Sequence, residues 1–406
     1  MHILVILFVA VFLAISAADW VGDDIDVSKV PKDEDVGLDI VQLVTKRGYP
    51  IETHYITTRD GYILTCFRIP HGKNSATVGK PVVLQHGLLD SAYTWTANYE
   101  SQSLAYILAD QGYDIWMNNN RGNRYGRNHT TLNPDDGTDA FWSFTWDDMA
   151  SEDVPAVVHY VLDQTGQEKL SWVGHSEGTI QIFAAGSLES SDPFFTSAID
   201  RIGVFAALAP VAYVSHMQSK ILVALAHSDL IDKFYQRGKY EFLPYGPLDI
   251  AAAEICALTE QACNVFLMTI CGPTQHINAS RIQVYVSNTP AGTSVMNMEH
   301  WMQGVLVDKF QKYDYKSPDA NQRHYNQSTP PLYDLSKMRV KTALFAGDHD
   351  YLADPQDVQR LVAELPAAMV VFQDTLQSYA HLDYTWADDA YKNVYNKVVS
   401  VLAKYA

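Results

Sequence analysis

The stretch Leu170-Ser171-Trp172-Val173-Gly174-His175-Ser176-Glu177-Gly178-Thr179-Ile180 restricts the fold more than any other part of the chain. A short apolar run suited to a buried strand meets Gly-x-Ser-x-Gly, and an apolar helical pattern follows at Ile180, Ile182, Phe183, Ala184 and Ala185. Strand, sharp turn and helix in that order make a nucleophile elbow. The serine backbone is strained in such a turn, and a side chain at Gly174 or Gly178 would strike the neighbouring strand or helix. Ser176 Oγ is therefore expected to stand at the top of a sheet. The free N–H groups of the new helix would point toward any negative charge developing beside it.

The flanking sequence supplies the sheet. Residues 54–58 and 62–69 read as two strands joined through Arg59-Asp60-Gly61, and Asp-Gly between β-rich runs signals a hairpin. A helix comes before them, with Leu38, Ile40, Val41 and Val44 on one face and Gly48-Tyr49-Pro50 at its end. Residues 81–85, 113–117 and 201–210 read as buried strands, with helices at 103–111 and 152–164 between them. Such alternation predicts a parallel sheet wound on both sides. It stops between Pro210 and Met338, then resumes with a strand at 342–346, a helix at 355–365, a strand at 369–372 and a last helix near 391–404. The expected architecture is one α/β domain, residues 36–210 and 339–406, interrupted by a mostly helical cap at 211–338. An insertion placed there lies over the carboxyl ends of the strands, where ligands bind in open α/β sheets.

Residues 1–18 are almost wholly apolar, end in Ser16-Ala17-Ala18 and run into acidic residues from Asp19. This reads as a cleaved secretory signal followed by a loose, charged leader at 19–35. No later run is long and apolar, so no integral span is expected in the mature chain. Secretion is the expected destination, with the lysosome or another acidic compartment as the alternative. With 47 acidic side chains against 29 basic ones, the formal net charge is -18, which argues against nucleic acid as a partner. Of the four cysteines, Cys256, Cys263 and Cys271 cluster, while Cys66 lies in an expected strand. Export favours one local disulfide, and three complete pairings are open. The cysteines lack Cys-x-x-Cys pairs and a nearby histidine cluster, so no metal is expected, nor any other cofactor. Asn128, Asn278 and Asn326 each begin a glycosylation sequon.

A serine hydroxyl is a weak nucleophile until a base takes its proton, and the base needs a group to orient it. On this type of sheet the partners follow in the order serine, acid, histidine. Ala346-Gly347-Asp348-His349-Asp350-Tyr351-Leu352-Ala353-Asp354-Pro355 follows the second-last strand and is rich in acids. His381 follows the last strand and is the only histidine beyond His349, which makes it the expected base. Asp350 is the first choice of acid and Asp348 the second, whereas Asp354 precedes Pro355 and reads as a helix N-cap. His175 and His86 are read as packing or loop residues. Main-chain N–H groups of Leu88 and Glu177 are the expected oxyanion donors.

Several segments together resemble the acid lipase family that includes gastric lipase and lysosomal acid lipase. They are Asp60-Gly61-Tyr62-Ile63-Leu64, Gln85-His86-Gly87-Leu88-Leu89, Asn120-Arg121-Gly122-Asn123, Gly174-His175-Ser176, Pro290-Ala291-Gly292-Thr293-Ser294, Leu352-Ala353-Asp354-Pro355 and His381-Leu382-Asp383. The resemblance implies an α/β-hydrolase fold with a lid inside the cap, a triad of Ser176, Asp350 and His381, and oxyanion donors at Leu88 and Glu177. It also implies a Cys256–Cys263 disulfide with Cys271 left as a thiol. The implied activity is hydrolysis of neutral lipid esters, triacylglycerols above all, at a lipid–water interface. Sterol esters or short-chain esters are the alternative substrates, and a catalytically idle lipid-binding protein is the alternative of another class. The resemblance separates Asp350 from Asp348, which spacing alone does not. The apolar runs at 221–226 and 265–270 are candidates for the lid. One position departs from the pattern, because gastric-type members usually carry glutamine where this chain has Glu177. An ionised carboxylate near the oxyanion would oppose the charge forming there, so Glu177 is expected to bias activity toward acidic pH.

Overall fold

A computed structural model describes residues 32–405, apart from 248, 250, 251, 254, 255 and 257–259. The expected signal at 1–18 and the leader as far as residue 31 lie outside the described residues. At Asp60-Gly61 the chain turns as its chemistry dictates: Gly61 takes φ +102° and folds β1 (Glu52–Thr57) back onto β2 (Tyr62–Ile69) as an antiparallel hairpin. The remaining main-sheet strands are β3 (Pro81–Gln85), β4 (Asp114–Asn118), β5 (Asn128–His129), β6 (Leu170–His175), β7 (Ile202–Leu208), β10 (Thr342–Gly347) and β11 (Val370–Leu376).

Their order is β1-β2-β4-β3-β6-β7-β10-β11, with β5 on β2, and every pairing from β4 to β11 is parallel. All residues of β3, β4, β6 and β10 are buried, as expected of strands covered by helices on both faces. From β3 the chain moves outward to β4, then returns to place β6 on the other side of β3. This reversal opens a crevice at the carboxyl ends of β3 and β6, the place where doubly wound sheets bind ligands.

Between β7 and β10 the chain forms helices Lys220–Ala226, Leu230–Gln236, Glu260–Cys271, Ile282–Val286, Val295–Leu306 and Pro318–Tyr325. A small two-stranded sheet joins β8 (Glu241–Phe242) to β9 (Thr293–Ser294) within this stretch. Cys256 and Cys263 form a disulfide, and Cys66 and Cys271 are buried free thiols. Among the described residues no helix is long and apolar enough to cross a membrane.

Two expectations need correction. The first helix starts at Ile40, where Asp39 accepts the Gln42 N–H in a capping box, so its buried face is Ile40, Leu43 and Val44 rather than Leu38 and Val41. The end of the leader is also fixed, not loose. Asp35 is buried and paired with Arg281 at 2.7 Å, with Lys46 at 2.6 Å and with Arg47. Arg281 is itself buried and reaches Asp33 at 3.0 Å as well as the Ala97 carbonyl. A charge taken out of water must be paired, and the carboxylates of 33–35 supply the partners.

The three sequons differ in the same physical terms. Asn128 and Asn326 are exposed, whereas Asn278 is buried and its amide donates to Asn98 Oδ1 at 2.9 Å and Gln102 Oε1 at 3.0 Å. Glycopeptide mapping of protein exported from eukaryotic cells is expected to find sugar on Asn128 and Asn326 and a bare Asn278. A glycan on Asn278 at high occupancy would contradict its place in the folded protein.

Candidate active site

The site is built around the turn that leaves β6. Ser176 adopts φ 54° and ψ −116°, and the helix Glu177–Ser187 begins at the next residue. Such a backbone persists in a non-glycine residue only when its surroundings over-determine it. Here the Ser176 N–H donates to Leu208 O at 3.1 Å and the Thr179 N–H to Ser176 O at 2.7 Å. A Cβ on Gly174 would lie 2.3 Å from Gly178 O, and a Cβ on Gly178 would lie 2.4 Å from Gln85 O. Both distances are far inside van der Waals contact, so the turn fits only with glycine at each place.

His381 lies in the loop after β11 and Asp350 in the loop after β10. His381 Nε2 is 2.7 Å from Ser176 Oγ, and its Nδ1 is 3.0 and 2.9 Å from the two oxygens of Asp350. Asp350 Oδ1 also accepts the N–H groups of Leu352 at 2.9 Å and Ala353 at 2.8 Å, which fixes the carboxylate plane. The three side chains are buried, with Ser176 9%, His381 3% and Asp350 0% exposed. A neutral ring with its proton on Nδ1 leaves a lone pair on Nε2 facing the hydroxyl, the arrangement in which the ring can take the serine proton.

The other candidate acids do different work. Asp348 is half-buried and accepts the Ser378 N–H at 2.6 Å, closing the turn ahead of His381 without touching its ring. Asp354 caps the helix Pro355–Glu364 through the Gln356 N–H at 2.8 Å.

His86 fixes the loop after β3. Its Nε2 accepts from the Asn120 N–H at 3.0 Å and the Asn123 amide at 3.1 Å, so Nδ1 carries the proton and donates to Gly87 O at 2.8 Å. Burial pushes its pKa down to about 4 and keeps it neutral. A Cβ on Gly87 would come within 3.0 Å of Ser176 Cβ, so this loop lies directly against Ser176. Leu88 follows in the same loop. Glu177 is the first residue of its helix, and its N–H has no partner within that helix.

The Glu177 side chain has partners that reading the sequence did not find. One oxygen accepts the Asn297 amide at 2.7 Å and the Trp301 indole N–H at 2.8 Å, and the other accepts the Asn120 amide at 2.8 Å. Asn297 and Trp301 lie on the helix Val295–Leu306 of the insertion, more than a hundred residues away in sequence. Burial raises the carboxyl from an ordinary 4.5 to about 7, while the three donors pull the other way.

Because this folded value lies above that of an unfolded glutamate, the stability it confers is complete below about pH 4.5 and is lost as pH rises through about 7. A shift of that size corresponds to about 3 kcal/mol at most. Thermal unfolding from pH 5 to 8 is expected to show a falling midpoint, with part of the fall absent in Glu177→Gln. Parallel curves for the two proteins would contradict this, and matching pH-rate profiles would remove the expected bias toward acidic pH.

Residues 40–99 match the family described as the partial alpha/beta-hydrolase lipase region, and residues 80–381 match the alpha/beta hydrolase fold. Gastric triacylglycerol lipase of Homo sapiens is 43% identical over 381 residues, covering 92% of this chain and 93% of the relative. Lysosomal acid lipase/cholesteryl ester hydrolase of Homo sapiens is 40% identical over 382 residues, covering 92% of each chain. Among solved structures, a soluble variant of monoglyceride lipase from Saccharomyces cerevisiae shares the fold, with a TM-score of 0.52 at 16% identity over 93% of this chain and 99% of that one. Sheet order, the turn at Ser176 and these matches agree that the chain belongs to the alpha/beta hydrolase family, in the branch that holds the gastric and lysosomal acid lipases.

Proposed function

We propose that the protein is a secreted or lysosomal lipase that hydrolyses neutral lipid esters, triacylglycerols first, through an acyl-enzyme on Ser176. The observation that carries this reading is the unbroken path from Ser176 Oγ to His381 Nε2 at 2.7 Å and from His381 Nδ1 to Asp350 at 2.9 Å. Ser176 Oγ attacks the ester carbonyl carbon as His381 Nε2 takes its proton. The negative charge that moves onto the carbonyl oxygen is met by the N–H groups of Leu88 and Glu177. Asp350 stabilises the imidazolium and holds its tautomer, and Nε2 returns the proton to the departing alkoxide. A water deprotonated at His381 then hydrolyses the acyl-enzyme, which restores the serine.

The substrate class rests on the relatives and on the surface of the insertion. A gastric triacylglycerol lipase supports triacylglycerols, and a lysosomal acid lipase/cholesteryl ester hydrolase supports sterol esters as the second reading. Ser176 is only 9% exposed, so a bulky ester reaches it after a neighbouring segment moves aside, the part expected of a lid in the insertion. The helices Lys220–Ala226 and Glu260–Cys271 contain both apolar runs expected of a lid. Each turns an apolar side chain to water, Ile221 at 39% and Val265 at 52% exposure. A lipid surface would cover such residues.

Turnover of emulsified triolein, cholesteryl oleate and a dissolved butyrate ester across pH tests the proposal. Triolein is expected to be cleaved, and cleavage of the butyrate ester alone would make the protein a soluble-ester esterase. No turnover of any of the three would favour the idle lipid-binding protein. Asp350→Asn is expected to lower kcat by about a thousandfold or more, while Asp348→Asn stays within about threefold. Equal losses in the two variants would overturn the assignment of the acid.

A further inference from the structure

The position of an imidazole is set by its backbone as much as by the carboxylate that orients the ring. The His381 N–H donates to Cys271 O at 3.2 Å, a main-chain contact with the end of the helix Glu260–Cys271. The His381 carbonyl accepts from His175 Nε2 at 2.8 Å. His175 immediately precedes Ser176, so this single side chain joins the nucleophile turn to the loop of its base across 206 residues of sequence. We infer that His175 is a positioning residue, whose Nε2–H holds the main chain of His381 at the height where its ring meets Ser176. The inference rests on the Ser176–His381 reading above.

The chemistry of the contact fixes the state of the ring. A carbonyl only accepts, so Nε2 must carry the proton and Nδ1 must carry the lone pair. His175 is 2% exposed, and its ring centroid lies 5.1 Å from that of His381 and 6.2 Å from that of Tyr384. Burial, with the nearby His381 adding to it, pushes the His175 pKa down to about 3, so the ring stays neutral across the working pH range of a hydrolase. Nδ1 is buried and makes no hydrogen bond, and a Cβ on Gly87 would approach it to 3.3 Å. The ring is thus wedged between the loop of the base on one side and the loop after β3 on the other, with one useful bond, and that bond ends on His381. Without it a buried carbonyl is left without its donor and the loop is free to shift.

A misplacement of about 1 Å between base and nucleophile can cost about 100-fold in rate. Glutamine carries an amide nitrogen about as far from the backbone as imidazole Nε2, whereas the asparagine amide ends near the position of Nδ1. Steady-state kinetics on a dissolved butyrate ester should therefore be measured for His175→Phe, His175→Asn and His175→Gln, normalised to the folded fraction from circular dichroism, with Ser176→Ala as control. His175→Phe and His175→Asn are expected to lose kcat by about 100-fold with KM within about twofold, and His175→Gln to remain within about fivefold of the unaltered protein. Should His175→Phe fail to fold, the asparagine and glutamine pair still decides the matter. Equal kcat for these two variants, whether both high or both low, would overturn the inference. Activity retained in Ser176→Ala would instead overturn the reading of the nucleophile on which the inference rests.

Discussion

A serine held at φ 54° in a turn with no room for a side chain on either flanking glycine is the constraint on which this structure depends. The turn brings the end of β6 and the first turn of a helix so close that Gly174 and Gly178 pack backbone to backbone, and Gly178 packs on the end of β3. The strain is held by the sheet, because the Ser176 N–H is bonded to the end of β7 and the glycine contacts run to β3 and the helix. The reversal of strand order at β3 puts the loop after β3 and the turn after β6 side by side. Ser176 and the loop that holds Leu88 are therefore neighbours as a result of topology, before any side chain is chosen.

Burial then sorts the ionisable groups of the site. His86 and His175 are pressed toward the neutral form, so each contributes through its hydrogen bonds and neither competes for the serine proton. The same loss of water raises the carboxyls of Asp90, Glu177 and Asp383 to about 7. A protein carrying such groups is relieved of buried charge in acid. Depressed groups such as Asp35 and Asp60 oppose this trend, because Asp35 is paired with Lys46 and Arg281 and Asp60 with Arg121. The insertion takes part in the site electrostatically, since Asn297 and Trp301 reach the carboxylate of Glu177 next to Ser176.

What the sequence revealed follows the range of the interactions involved. The turn at Ser176 and the hairpin at Asp60-Gly61 are local, because glycine placement and flanking apolar runs specify them within a few residues. His381 and Asp354 were also legible, one as the only histidine after the last strands and the other as an N-cap before proline. Long-range pairing was not. Nothing in the order of residues shows that Asp350 faces the ring while Asp348, two positions earlier, closes a turn at Ser378. Nor does it show that Asn278 spends its amide on Asn98 and Gln102, or that Asp35 neutralises a buried arginine 246 residues away. In each case the deciding partner is brought in by tertiary folding.

In the proposed chemistry an imidazole that folding carries to a strained hydroxyl draws off its proton. The most direct measurement is the rate and position of covalent capture by a fluorophosphonate, read by mass spectrometry of the intact protein and its peptides. One adduct per chain, on Ser176, forming about a thousandfold more slowly in His381→Ala, is the result the account predicts. An adduct on another residue, or an unchanged rate without His381, would contradict it.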